Sequence, residues 1–235
     1  MNYVENFFEP SRLWLIWQFT DGDGKGVSRT RRKVAEIVKT GNDPVVFRYL
    51  TNTSDYQAAL NEKFNGYPAF KLGDETFTHN VIEAFVRRLP PRTREDFDKY
   101  LNMHRLPLNF AGSNMALLGY TGAKLPGDAF EIIPDYSDAK LPIEFMMEIA
   151  GFRYHNVPVN ELSIGMDVEF IAEPENAFDS NAIAIHCNNK KIGHVPRSIL
   201  PAMNVWLKTN RLLATIERIN GKADRPLIYL FVTVK

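Results

Sequence analysis

Asp21-Gly-Asp-Gly-Lys-Gly26 places acids at the first and third positions of a calcium loop and glycine at the sixth. Lys25 then stands at the fifth position and Arg32 at the twelfth, where a bidentate carboxylate is required, so a hairpin turn is the better reading. The same glycines lack the G-x-x-x-x-G-K-[ST] spacing of a phosphate loop. The five histidines, His79, His104, His155, His186 and His194, form no H-x-H or H-x-x-x-H pair, and the one cysteine has no cysteine neighbour. No zinc centre is expected from that pattern. Cys187 lies in an alternating strand pattern and reads as core rather than nucleophile. No G-x-S-x-G elbow and no H-R-D or D-F-G triplet occurs, and no carboxylate cluster suits a two-metal nuclease. The chain is therefore expected to be no enzyme, with no metal and no cofactor.

Composition narrows the class further. The chain has 235 residues, 45% apolar and 24% charged, which allows one large domain or two small ones. Its 16 Phe exclude a wholly disordered chain. Lys+Arg and Asp+Glu both total 28, so no global field draws it to nucleic acid or a membrane surface. A single Cys excludes a disulfide framework and fits a reducing compartment. No stretch approaches the length of a membrane helix, and Met1 to Pro10 carries Glu5 and Glu9 where a secretory signal would be basic. A cytoplasmic location without membrane contact is expected.

The periodicities place an α+β domain over residues 1–140 and a small all-β barrel, SH3- or OB-like with one or two short helices, over 141–235. In the first, Arg12 to Phe19, Thr30 to Val38 and Val45 to Leu50 read as an antiparallel meander. Val81, Phe85 and Leu89 form one helical stripe ended by Pro90-Pro91. Thr93 to Leu101 and Phe110 to Leu118 read as helices, and Gly127 to Pro134 as a strand returning to the sheet. Asp135 to Lys140 is the expected linker. From there strands are expected at Ala150–His155, Met166–Ala172, Asn181–Cys187, Lys191–Val195, Leu212–Ile219 and Leu227–Val234. A helix near Arg197 to Asn210 interrupts them, and this strand density suggests a barrel.

Three blocks within the second domain stand out: Arg153-Tyr-His155, Glu173-Pro-Glu-Asn-Ala-Phe-Asp-Ser-Asn-Ala-Ile183, and Ile192-Gly-His-Val-Pro-Arg197. In order and spacing they resemble the HIRAN domain, whose pattern is G-x-R-Y, then E-P-x-N-x-x-D-x-N-A-I, then I-G-H/Y-V-P. The resemblance covers residues about 148 to 235. It implies a small barrel that, in the helicase type, binds single-stranded DNA and grips the free 3′ end. Tyr154 and Phe178 would then stack the terminal base, a contact worth about 1–3 kcal/mol per base. Asp179 would accept a hydrogen bond from the 3′-OH and repel a 3′-phosphate. Arg153, His194 and Arg197 would hold phosphates. Asn176 is carried over with the block, although Asn176 and Asn181 read first as loop-fixing residues.

Two positions depart from the DNA-binding relatives, which typically have Tyr at Phe178 and Lys at Arg197. Each assignment also has a plainer reading: Tyr154 and Phe178 as core rings, Asp179 as a turn cap, His194 as a strand-end residue. Their occurrence together in a known order carries the resemblance.

Arg12 to Pro134 resembles the N-terminal subdomain of HipA-type toxin kinases, through Val34-Ala-Glu-Ile, Val46-Phe-Arg-Tyr49, Pro68-Ala-Phe70, Val81 to Pro90 with Arg94, and Phe130 to Pro134. The kinase core is absent. The resemblance implies a docking module for a HipA-like kinase. Two functions follow: a non-enzymatic sensor of single-stranded DNA 3′ ends, its first domain docking such a kinase or another effector, or an antitoxin-like regulator of the kinase with little or no DNA binding.

Overall fold

Seven residues rich in tryptophan, leucine and isoleucine open the described chain's regular structure, and such residues favour a pleated, half-buried surface. In this computed structural model, which describes residues 2–19, 30–209, 211–222 and 225–235, they form β1 (Arg12–Gln18). The Asp21–Gly26 turn lies outside the described residues. β2 (Arg31–Val38), β3 (Val46–Tyr49), α1 (Ser54–Asn61), β4 (Thr76–Phe77), α2 (Val81–Val86), α3 (Phe97–Met103), α4 (Asn114–Thr121) and β5 (Phe130–Pro134) follow. The antiparallel sheet has the order β4-β3-β2-β1-β5, so the meander and the returning strand both take the expected places.

Contacts divide the chain into two units. One comprises Glu9–Tyr100 and Ala111–Asp138; the other comprises Met1–Phe8, Leu101–Phe110 and Ala139–Lys235. In the first, Phe47 stacks on Phe70 at 4.3 Å between ring centroids, and Phe85 and Tyr67 complete an aromatic core. Helix α4 lies so close to the sheet that a Cβ on Gly119 would meet Pro134 Cγ at 2.7 Å. Caps fix the helix starts: Thr53 Oγ1 accepts from the Tyr56 amide at 3.3 Å and Ser113 Oγ from the Ala116 amide at 3.2 Å. The buried Arg88 guanidinium is satisfied by both Asp128 oxygens and by the carbonyls of Ala123 and Phe130. It is a structural ion pair.

The second unit contains β6 (Ile143–Glu148), β7 (Glu169–Ala172), β8 (Ile183–Cys187), β9 (Lys190–His194), α5 (Leu200–Lys208), β10 (Leu212–Lys222) and β11 (Arg225–Val234). Among the described residues these strands make two antiparallel three-stranded sheets, β10-β11-β6 and β7-β8-β9. Two isolated bridges, Ala150↔His194 and Asp167↔Thr215, connect them, and no closed barrel forms. Gly151 takes φ +77° and the chain turns into a 3-10 segment, Phe152–Tyr154, in place of the strand expected over Ala150–His155. Phe145, Ile183, Ile185, Ile192, Met203, Ile216, Ile228 and Val232 fill the core.

The two earlier stretches belong to this unit through paired polar groups. The Val4 amide donates to the Arg105 carbonyl at 2.7 Å, and the Glu144 carboxylate accepts from the amides of Glu5 and Asn6. Glu217, only 3% exposed, accepts from Arg105 Nε at 2.7 Å and from Asn2 Nδ2 at 2.9 Å. Among the described residues no helix is long and apolar enough to cross a membrane.

Candidate nucleic-acid interface

Gly193 sets the geometry of the site. Its φ is +150°, and a Cβ there would lie 2.3 Å from Ile149 Cγ2 and 2.6 Å from the Ala150 carbonyl oxygen. Only glycine lets β9 approach this closely. The approach allows Ala150 and His194 to exchange two backbone hydrogen bonds, each 2.9 Å. The turn bearing Arg153, Tyr154 and His155 follows directly, anchored by buried Phe152.

On that turn Tyr154 is 69% exposed, which excludes its reading as a core ring. The Arg153 guanidinium lies over the Tyr154 ring at 4.5 Å and donates to its hydroxyl, a cation–π contact that steadies both exposed side chains. The His155 ring lies 5.5 Å from the His194 ring.

The second loop runs from Glu173 to Ala182 and is closed by its own backbone, the Glu173 amide donating to the Ala182 carbonyl at 2.9 Å. Asn176 Oδ1 accepts from the amides of Phe178 and Asp179 at 3.0 and 3.2 Å. Asp179 Oδ1 accepts from the Asn181 amide at 2.9 Å. These are Asx turns, in which short polar side chains hold local backbone. Asn204 of α5 adds a hydrogen bond to the Asn181 carbonyl at 2.9 Å. The loop holds Phe178 at 99% exposure, so this ring too is no part of the core.

Glu173 joins the second loop to β9. Its carboxylate meets His194 Nε2 at 2.9 Å, accepts from Asn176 Nδ2 at 3.0 Å and pairs with Lys191 Nζ. Burial alone pushes this carboxyl up, but the hydrogen bonds from Lys191, Asn176 and His194 outweigh it and bring it down to about 2. His155 is depressed below the usual imidazole range by burial first, then by the positive potential of His194 and Lys191.

Arg153 and Tyr154 share one turn with His155, and contacts run from His155 through His194 and Glu173 to Asn176, whose amide oxygen holds the backbone of Phe178 and Asp179. Arg197 is exposed at the start of the 3-10 turn Arg197–Ile199, three residues beyond His194. Sequence reasoning singled out the rings, Asp179 and the cations, but gave Glu173, Lys191 and His155 no role. The signal for Lys191 was concealed by a bulge. Ile185 pairs with Gly193 and His186 with Lys191, so Ile192 is the extra residue. It brings Lys191 and His194, three apart, to one carboxylate.

Residues 143–224 match the family model of the HIRAN domain. This stretch is a HIRAN domain. Among solved structures the chain is similar to the HIRAN domain of human HLTF, with 18% identity over 39% of this chain and 77% of that chain and a TM-score of 0.31. It is also similar to a protein from Lactobacillus plantarum, with 18% identity over 40% of this chain and 96% of that chain and a TM-score of 0.34. No curated protein matches the chain. None of these findings supports the resemblance of the N-terminal part to the HipA subdomain. The HIRAN domain carries every site residue singled out above.

Proposed function

We propose that the HIRAN domain binds single-stranded DNA, stacks the last base on Tyr154 or Phe178, and recognises the free 3′-OH, and that the protein acts here without catalysis of its own. HIRAN is generally a DNA-binding module, which supports nucleic-acid binding. The observation that carries the finer reading is Phe178: an apolar ring held almost wholly in water on a loop whose backbone is tied by Asn176 and Asp179. Such a ring gains most when a flat partner covers it, and every base has a π-face.

The neighbours fit the remaining parts of a strand end. Arg153 and Arg197 offer guanidinium forks for phosphates. Asp179 uses Oδ1 for the Asn181 amide, and Oδ2, which has no part in that turn, suits a 3′-hydroxyl. The same carboxylate would repel a 3′-phosphate. Fluorescence anisotropy with two otherwise identical single strands tests this. The 3′-OH strand is expected to bind more tightly than the 3′-phosphate strand; equal affinity contradicts end recognition, and no binding at low salt contradicts DNA binding altogether.

A further inference from the structure

His155 has no part in the reading above, yet it sits on the same turn as Arg153 and Tyr154 and faces the His194 ring at 5.5 Å. The charged and titratable groups around it are known. His194 and Lys191 come from β9, His186 from β8, and Glu173 from the start of the adjoining loop. Glu173 is the one acid of the group, and it is already engaged by Lys191, His194 and Asn176. A proton arriving on His155 therefore meets the Lys191 ammonium and two further imidazoles, with no carboxylate left to serve as its own counter-charge. A backbone phosphate laid across this face would supply that counter-charge.

We propose that His155 is a further phosphate contact of the HIRAN surface, engaging DNA in its protonated form, so that affinity for single-stranded DNA rises as the medium is acidified. The inference rests on the DNA-binding reading and adds a residue and a proton to it. The sign follows from linkage. If phosphate binding favours the imidazolium, binding takes up a proton, and the association constant increases as pH falls through the imidazole range.

The test is anisotropy of the full chain with a fluorescent 3′-OH single strand at about pH 7.5 and about pH 5.5, at fixed ionic strength. The readout is the ratio of the two dissociation constants within each protein. For the unmodified protein a ratio of about tenfold is expected, as for uptake of one proton. In His155→Gln the ratio should shrink to about twofold. If His155→Gln keeps the unmodified ratio, the inference is overturned while DNA binding stands. If the unmodified protein fails to bind at either pH, the DNA reading itself has failed. A second measurement does not depend on the variant folding: an NMR titration of the His155 ring protons with and without the oligonucleotide. The ring's midpoint should move up by about one pH unit when DNA is added, and an unmoved midpoint overturns the inference.

Discussion

Glu173 gathers more of the site's charge than any other side chain. It holds Lys191, His194 and Asn176 at once, and through Asn176 it is one step from the backbone under Phe178. Its carboxyl is brought to about 2 from an ordinary value of 4.5. A carboxyl depressed on folding contributes stability above its unfolded value, and that contribution is lost as pH falls from 4.5 towards about 2. Thermal melts across that window should therefore show a steeper acid loss for the unmodified protein than for Glu173→Gln. Equal slopes would mean that the carboxylate is not held as described.

At the scale of elements, the long apolar runs bounded by turn residues were legible, and short or mostly polar elements were not. The meander β1-β2-β3 and the return of β5 to β1 followed from apolar runs and turn residues. Helix α1 went unread because Ser54-Asp-Tyr-Gln-Ala-Ala-Leu-Asn61 is mostly polar and buries only Tyr56 and Ala59. Strand β6 also went unread, although Ile143, Phe145 and Met147 alternate inward. In the site, the exposed rings could be found from residue type and motif order, whereas the Glu173 cluster depends on a bulge that no residue pattern announces. The strand expected over Ala150–His155 gives way to a 3-10 turn, because Gly151 takes a left-handed conformation.

The same scale holds a test of how the early stretch 101–110 belongs to the HIRAN-bearing unit. Arg105 Nε meets the buried Glu217 carboxylate of β10 at 2.7 Å. Arg105→Ala leaves that charge without its cation and should cost about 3–5 kcal/mol in urea unfolding. Arg105→Leu combined with Glu217→Leu leaves no buried charge unpaired and should cost less. A double variant as unstable as the single one would contradict this account of the pair.

For the whole molecule, the matched domain begins at residue 143, but the unit that contains it also draws in Met1–Phe8 and Leu101–Phe110. Binding experiments therefore belong on the full chain. The central claim is that two exposed rings, Tyr154 and Phe178, hold unpaired nucleotides in the HIRAN domain. The most direct measurement is the affinity of the full chain for a short single-stranded oligonucleotide, before and after the double substitution Tyr154→Ala and Phe178→Ala. Loss of about 1–3 kcal/mol for each ring that stacks a base is the expected result. An affinity unchanged by removing both rings, in a protein that still melts cooperatively, would contradict the claim.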